Sequence, residues 1–557
     1  MGFLLPILLA VASLLLHETG DAAGPDYPWA LILLGLVPIL AARLRRRLSL
    51  AGSFGTARRL ARLERYLPAV LQALAIEPLG WMRSLEGWFE VELSLLMWPR
   101  PELLLALLPF VLYSGISIEV EARGDGPSGL RRELRAFQGR LFAAGMAPIA
   151  LYLALAGALG RWDLLRIGVE EVSLWSLAFT VSLATVFVFA LPFFLQRIWA
   201  TEPLGPSPEL ELLQRVADLA RFRCRELLVW RTGGLVSNAA IVGLVPSTRR
   251  VFITDGLLSQ MGPRQLAAVF AHEIGHAKRH HVALLLVSAL AWLALVDGLL
   301  VALALEQPAL ELAFFGAGLV SWLLVFGWIS RRVELEADLY CLRLLRDGIG
   351  ITSALQAVGP TGHDRAGWRH FSTRRRIEFL ARAAADPGVG RRLRRRLLTV
   401  GGASLAVLLA VGTWRLAGFV QDYPLERARV DLRLGRLGEA AERLAAWEGP
   451  DPDGELRSLR TWLEEALASG WAPAPSRAEA RQRCAARARA ALEAGELEEA
   501  LGWLTLAALT GDRPAGRAAR VLEGRLEDPP RLGEAEGDLG PWAGPLQAVP
   551  SSAGASH

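Results

Sequence analysis

The sequence predicts a multi-span α-helical membrane protein, with a small α+β domain set between its spans and an α-helical repeat-like region near its C-terminal end. Three observations predict this. The 557-residue chain is 52% apolar with a mean hydropathy of +0.32, which excludes a disordered or fibrous chain. Its apolar residues gather in runs long enough, or nearly so, to cross a bilayer, which takes about 20 residues. Between two groups of runs lie short strand-like segments and a helix with histidines at i and i+4. A net charge of +5 is small for this length and gives no argument for a nucleic-acid partner.

The apolar runs occupy 3–16, 29–42, 103–118, 141–159, 172–195, 282–305, 310–329 and 403–420. The first lacks a basic leading segment, so it reads as an uncleaved span despite the small residues Ala22-Ala23-Gly24 behind it. Positive charge marks the cytoplasmic side. Arg391, Arg392, Arg394, Arg395 and Arg396 precede the last run and place 331–400 there. The runs at 282–329 form a hairpin, so 200–281 lie on the same side and the chain beyond 420 lies on the other. Arg43–Arg47 demand the cytoplasm too, yet three clear runs separate them from residue 200. An odd number cannot keep both inside. Either a weak segment near 66–82 also crosses or one run is re-entrant.

Residues 200–281 have another character. Pro203, Pro206 and Pro208 mark a linker, and 209–221 has helical spacing. Apolar runs at 227–230, 236–245 and 251–253, broken by Gly233-Gly234 and Pro246-Ser247, predict three strands. Gly262-Pro263 starts a helix that carries His272-Glu273-Ile274-Gly275-His276. Residues at i and i+4 share a helix face, so both imidazoles can reach one zinc ion. Glu273, about 100° round the helix, can act as base toward a water that the metal acidifies. Gly275 admits a close neighbour, and His280 and His281 read as residues at the membrane interface. A third protein ligand is required. Candidates are Asp297, inside the 282–305 run, and the Glu334/Asp338 pair directly after the hairpin, of which one could ligate while the other orients a histidine. Glu336 points elsewhere on that helix. Cys224, Cys341 and Cys484 are too widely spaced for a metal or disulfide framework.

Taken in order, three blocks resemble the membrane-integrated gluzincin metallopeptidases of the HtpX heat-shock protease and type I CAAX prenyl protease kind. They are Ser237-Asn238-Ala239 with Gly243, His272-Glu273-Ile274-Gly275-His276, and Glu334-x-x-Ala337-Asp338. The resemblance spans about 200–380 and implies a zincin-like catalytic domain, a small sheet plus the HExxH helix. It implies one zinc ion per chain on His272, His276 and Glu334, with Glu273 as general base and Asp338 behind a ligand histidine. Asn238 and Ala239 would lie on the edge strand that pairs with substrate. The family also carries a His-Pro-x-x-x-x-Arg stretch. His370-Phe371 to Arg376 matches it with Phe in place of Pro, which implies that His370 stabilises the oxyanion and Arg376 helps hold it. His363 is a nearby competitor.

Beyond the last run, 434–441 and 494–501 match each other around Gly435 and Gly495. The pattern resembles tetratricopeptide-type helix hairpins, bridged by a helix at 454–468. It offers a surface for a protein partner or a plain helical bundle. The expected organisation is a membrane region at 1–199, a metallopeptidase domain at 200–400 interrupted by a hairpin at 282–329, a span at 401–420, a helical region at 421–528 and a disordered tail at 529–557. The functional expectation is a zinc metalloendopeptidase in a bacterial inner membrane, its catalytic domain cytoplasmic, acting on membrane or membrane-associated polypeptides. The alternatives are a prenyl-protein protease and a scaffold with an inactive metal site. Asn238 is the only asparagine and Lys278 the only lysine of the chain. Asn238 can donate and accept beside a peptide backbone, whereas Lys278 suits a snorkelling position.

Overall fold

The computed structural model describes residues 4–16, 30–76, 78–89, 102–123, 128–303, 308–358, 367–447, 455–468, 477–510, 512–527, 540–542 and 546. Four helices among them are long and apolar enough to cross a membrane, at 131–159, Ser173–Ile198, His281–Leu303 and Pro387–Arg433.

The N-terminal bundle shows how the weak segment near 66–82 is packed. Helix α1 (Leu67–Ile76) starts beside Arg45, Glu121, Gln138 and Leu235 in a shared pocket. It runs antiparallel to α2 (Leu108–Ala122). Buried Gln72 of α1 donates to the Ala106 carbonyl (2.8 Å) and accepts from the Phe110 N–H (2.9 Å). So α1 leads away from the Arg45 end and α2 returns to it. Helices α3 (Ser128–Leu159) and α4 (Ser173–Ile198) repeat the excursion. Near the start of α3, Phe137 packs on Trp230, and just past α4 Trp199 stacks on the same ring at 3.9 Å. Helix α1 falls within the weak segment expected near 66–82. At ten residues, α1 is about half the length that a bilayer crossing takes.

The sheet at 201–254 has the order β1-β2-β4-β3, formed by β1 (Thr201–Pro203), β2 (Glu226–Trp230), β3 (Ala239–Val242) and β4 (Arg250–Thr254). The linker read at Pro203 is in fact an edge strand, where proline's missing N–H faces away from the ladder. Strands β2 and β4 are parallel, and β3 pairs antiparallel with β4 from Ala239↔Ile253 to Val242↔Arg250. This leaves β3 with one unpaired edge. Strand β4 is buried throughout. Helices α5 (Pro208–Leu219) and α6 (Pro263–Lys278) share its core through Leu213, Val251, Ile253, Phe270 and Ile274.

Helices α7 (His281–Leu303) and α8 (Pro308–Leu345) form the hairpin; α9 (Thr373–Ala385) and α10 (Pro387–Arg433) follow. The span at 401–420 is the middle of α10 rather than a separate helix. At the far end of α10, Arg433 pairs with Glu170 (2.8 Å) and Glu171 (2.6 Å), and Val430 packs on Ile167 and Val172. The 160–172 connection therefore lies at the opposite end from the sheet. Beyond it, helices Leu437–Ala445, Glu455–Ala468, Arg477–Ala494, Leu497–Leu509 and Arg513–Glu527 share one core. Gly435 (φ 78°) and Gly495 (φ 79°) make the matching left-handed turns. Within 529–557, Trp542 and Leu546 are buried in that core, so the tail is not wholly detached. An indole brings enough apolar area to anchor a short segment.

Candidate metal centre

Helix α6 starts at Gly262. Pro263 takes the first helical position, where no N–H is needed, and the Gln265 side chain accepts from the Gly262 N–H at 3.1 Å. Its last turns meet α8 at Gly275. A Cβ there would sit 3.2 Å from the Ala337 Cα, so glycine sets the approach of the two helices. That approach carries Glu334 and Asp338 to the two histidines.

The His272 and His276 Nε2 atoms are 3.1 Å apart. Glu334 lies 3.6 Å from each, through Oε2 to His272 and Oε1 to His276. Three donors around a zinc ion with bonds near 2.0–2.1 Å would be ~3.4 Å apart. Hydrogen bonding fixes the tautomers. His272 Nδ1 donates to Asp338 Oδ1 at 2.9 Å, because a carboxylate only accepts. On the other side His281 Nε2 donates to Glu336 Oε2 at 2.9 Å. A neutral His281 then accepts at Nδ1, 2.9 Å from His276 Nδ1, which must carry the proton. With His272 neutral, both Nε2 lone pairs and the Glu334 carboxylate face one point, an arrangement that fits a cation.

The carboxylates around His272 favour positive charge at that point, whether a proton on the imidazole or a metal ion that displaces it. Burial opposes charge on His272, but its bonds to Asp338 and Glu334 prevail and push its pKa up to about 10. Burial pushes His276 down to about 3 and Glu273 up to about 7. Asp338 is fully buried. Burial would raise its pKa, yet Arg376 holds it low, through Nη2 to Oδ1 at 2.6 Å and Nε to Oδ2 at 2.7 Å.

Residues 209–395 match the family model for peptidase family M48. The match covers about a third of the chain and takes in the α6 histidines and the start of α10. With its apolar helices, the chain is a membrane metallopeptidase. No curated protein matches it. Its fold is similar to the crystal structure of S. mikatae Ste24p, at 16% identity and a TM-score of 0.40, over 68% of this chain and 98% of that one.

All nine site residues expected from sequence line one cavity of about 760 Å³ within the matched region: Asn238, Ala239, His272, Glu273, His276, Glu334, Asp338, His370 and Arg376. Two have other partners than expected. Arg376 grips Asp338 and lies 3.5 Å from Glu334. His370, half exposed, reaches Glu334 Oε2 through Nδ1 at 3.3 Å. Asn238 is exposed at the start of edge strand β3. Its N–H donates to Thr254 Oγ1 (2.9 Å), and its carbonyl accepts from the Thr254 N–H (3.0 Å). Asp297 is not at the centre; it pairs with Arg415 of α10 at 2.9 Å. His363 lies outside the described residues.

Sequence reasoning missed His281, Glu336 and Arg394. His281 is buried rather than interfacial, and Glu336 points at it. Arg394 of α10 in turn lies 3.3 Å from Glu336. No spacing rule links i to i+5 on a helix, so only the turn between α6 and α7 brings His281 back. Lys278 does not snorkel; its Nζ donates to the Arg221 carbonyl at 2.7 Å, capping the left-handed residue after α5.

Proposed function

We propose that this chain is a zinc-dependent metalloendopeptidase that cleaves membrane or membrane-adjacent polypeptides. The observation that carries the reading is the convergence of His272 Nε2, His276 Nε2 and Glu334 with both Nδ1 protons directed away. Those three residues would hold one zinc ion. When bound, it would supply Lewis acidity toward a water and a carbonyl oxygen.

The remaining roles belong to the chain. The open edge of β3 takes an extended peptide as an added strand, in which main-chain bonds give affinity, and Asn238 offers an amide beside it. Glu273 lines the same cavity, and its raised pKa suits a group that takes a proton from the attacking water and returns it to the leaving amine. His370 is the exposed imidazole at the cavity and is placed to donate to the developing oxyanion. Arg376 acts through Asp338, fixing the carboxylate that orients His272. The arginines at the start of α10 and the positive-inside rule support a catalytic domain on the cytoplasmic side, with the C-terminal helices across the bilayer; we take that bilayer to be a bacterial inner membrane.

The test is metal analysis of the purified full chain together with hydrolysis of an unstructured reporter polypeptide. About one zinc per chain, lost with hydrolysis in His272→Ala, supports the reading. A folded, metal-free wild type that takes up no added zinc overturns it.

A further inference from the structure

A second cavity, of about 300 Å³, lies behind the metal centre between α6, α8 and α10. Its size is at the lower end for small-ligand sites. Five arginines line it: Arg279, Arg343, Arg391, Arg394 and Arg395. Glu336 is its one acidic lining residue among the described residues, and Glu336 is already bonded to His281 and Arg394. Arg279, Arg343, Arg391 and Arg395 have no carboxylate within ion-pair distance among the described residues. Arg279 Nε is buried without a hydrogen-bond partner. Gly390 leaves room here: a Cβ would fall 2.5 Å from Arg343 Nη2.

Holding guanidinium groups together in one cavity costs Coulomb energy unless an anion joins them. Arginine forks match phosphate oxygens in particular. The place is also informative. Arg279 directly precedes α7, and Arg394 and Arg395 directly precede the apolar part of α10, so the cavity opens where two spans begin. Leu398, exposed on its rim, presents an apolar surface on the bilayer side. Basic pockets between helices at this level suit anionic headgroups.

We propose that this cavity binds the phosphate of an anionic phospholipid. The guanidinium groups take the phosphate oxygens, and the acyl chains lie along α10 past Leu398. The site is separate from the peptidase centre and does not depend on the protein being a peptidase.

The experiment is native mass spectrometry of the full chain in neutral detergent, with short-chain phosphatidylglycerol, phosphatidylcholine or inorganic phosphate added. One phosphatidylglycerol should stay bound under conditions that strip phosphatidylcholine. Arg279→Gln with Arg343→Gln should weaken retention about thirty-fold, at roughly 1 kcal/mol per arginine. Arg374→Gln with Arg382→Gln, on the exposed face of α9, should leave it unchanged. If the double variant does not fold, exposed Arg343→Gln alone should still give about a five-fold loss. Equal retention of both lipids, or phosphatidylglycerol binding indifferent to the Arg279 and Arg343 changes, would overturn the proposal. So would inorganic phosphate binding as tightly as the lipid, since the site would then serve a soluble anion.

Discussion

His281 Nδ1 lies 2.9 Å from His276 Nδ1, and its other ring nitrogen lies 2.9 Å from Glu336. His276 is thereby oriented through an intervening imidazole, whereas His272 is oriented by Asp338 directly. Groups that orient metal-binding histidines typically change affinity 10–100-fold when removed. His281→Ala should therefore weaken zinc binding about 10–100-fold in a chelator competition. Glu336→Gln should cost less, because the amide oxygen still accepts from His281. Unchanged affinity in His281→Ala would reduce the contact to packing.

Asp338 and Arg376 form a buried bidentate pair. Removing one partner leaves the other charge buried, at a cost of about 3–5 kcal/mol. Arg376→Ala should lower the thermal midpoint by several degrees and weaken zinc binding, because Asp338 then loses the group that keeps it ionised. Arg376→Lys should restore part of the stability but not the two-point geometry. A midpoint equal to wild type in Arg376→Ala would contradict this role.

Asp255 ties the loop before β3 to the sheet. It accepts from the N–H groups of Thr232 (3.0 Å) and Gly233 (3.0 Å) and from Thr232 Oγ1 (2.6 Å). Burial would raise its pKa, but these bonds together lower it. A carboxyl lowered from about 3.9 in the unfolded chain stabilises the fold above that value. The stability is lost as pH falls through the lower folded value. Asp255→Asn should reduce the thermal midpoint at pH 7 and flatten its decline below pH 4. A variant with the same acid slope as wild type would exclude the residue as its source.

Asn238 presents an exposed amide beside the free edge of β3. Asn238→Ala should lower kcat/KM about five- to tenfold, the loss of one hydrogen bond near 1 kcal/mol, with bound zinc intact. Loss of zinc in this variant would make the residue structural.

Much of the centre was legible in the chain because its signals are local. The i, i+4 spacing of His272 and His276, the proline at position 263 and the alternation of short apolar runs act within a few residues. Glu334 needed one further step, that a hairpin returns the chain to the face it left. What stayed hidden depends on distant packing. Strand β1 is three residues with a proline and has meaning only beside β2. The α1 excursion is short enough to look like a loop. His281, Glu336 and Arg394 come from three helices, and no periodicity records that α8 and α10 close over the end of α6.

The central claim is that Glu273 serves a zinc centre that hydrolyses peptide bonds. The most direct measurement is cleavage of an unstructured reporter by the zinc-loaded full chain and by Glu273→Gln, with zinc quantified in both. Equal zinc and a rate lowered about 10²–10⁴-fold are expected. Cleavage at the wild-type rate in Glu273→Gln with full zinc occupancy would contradict it.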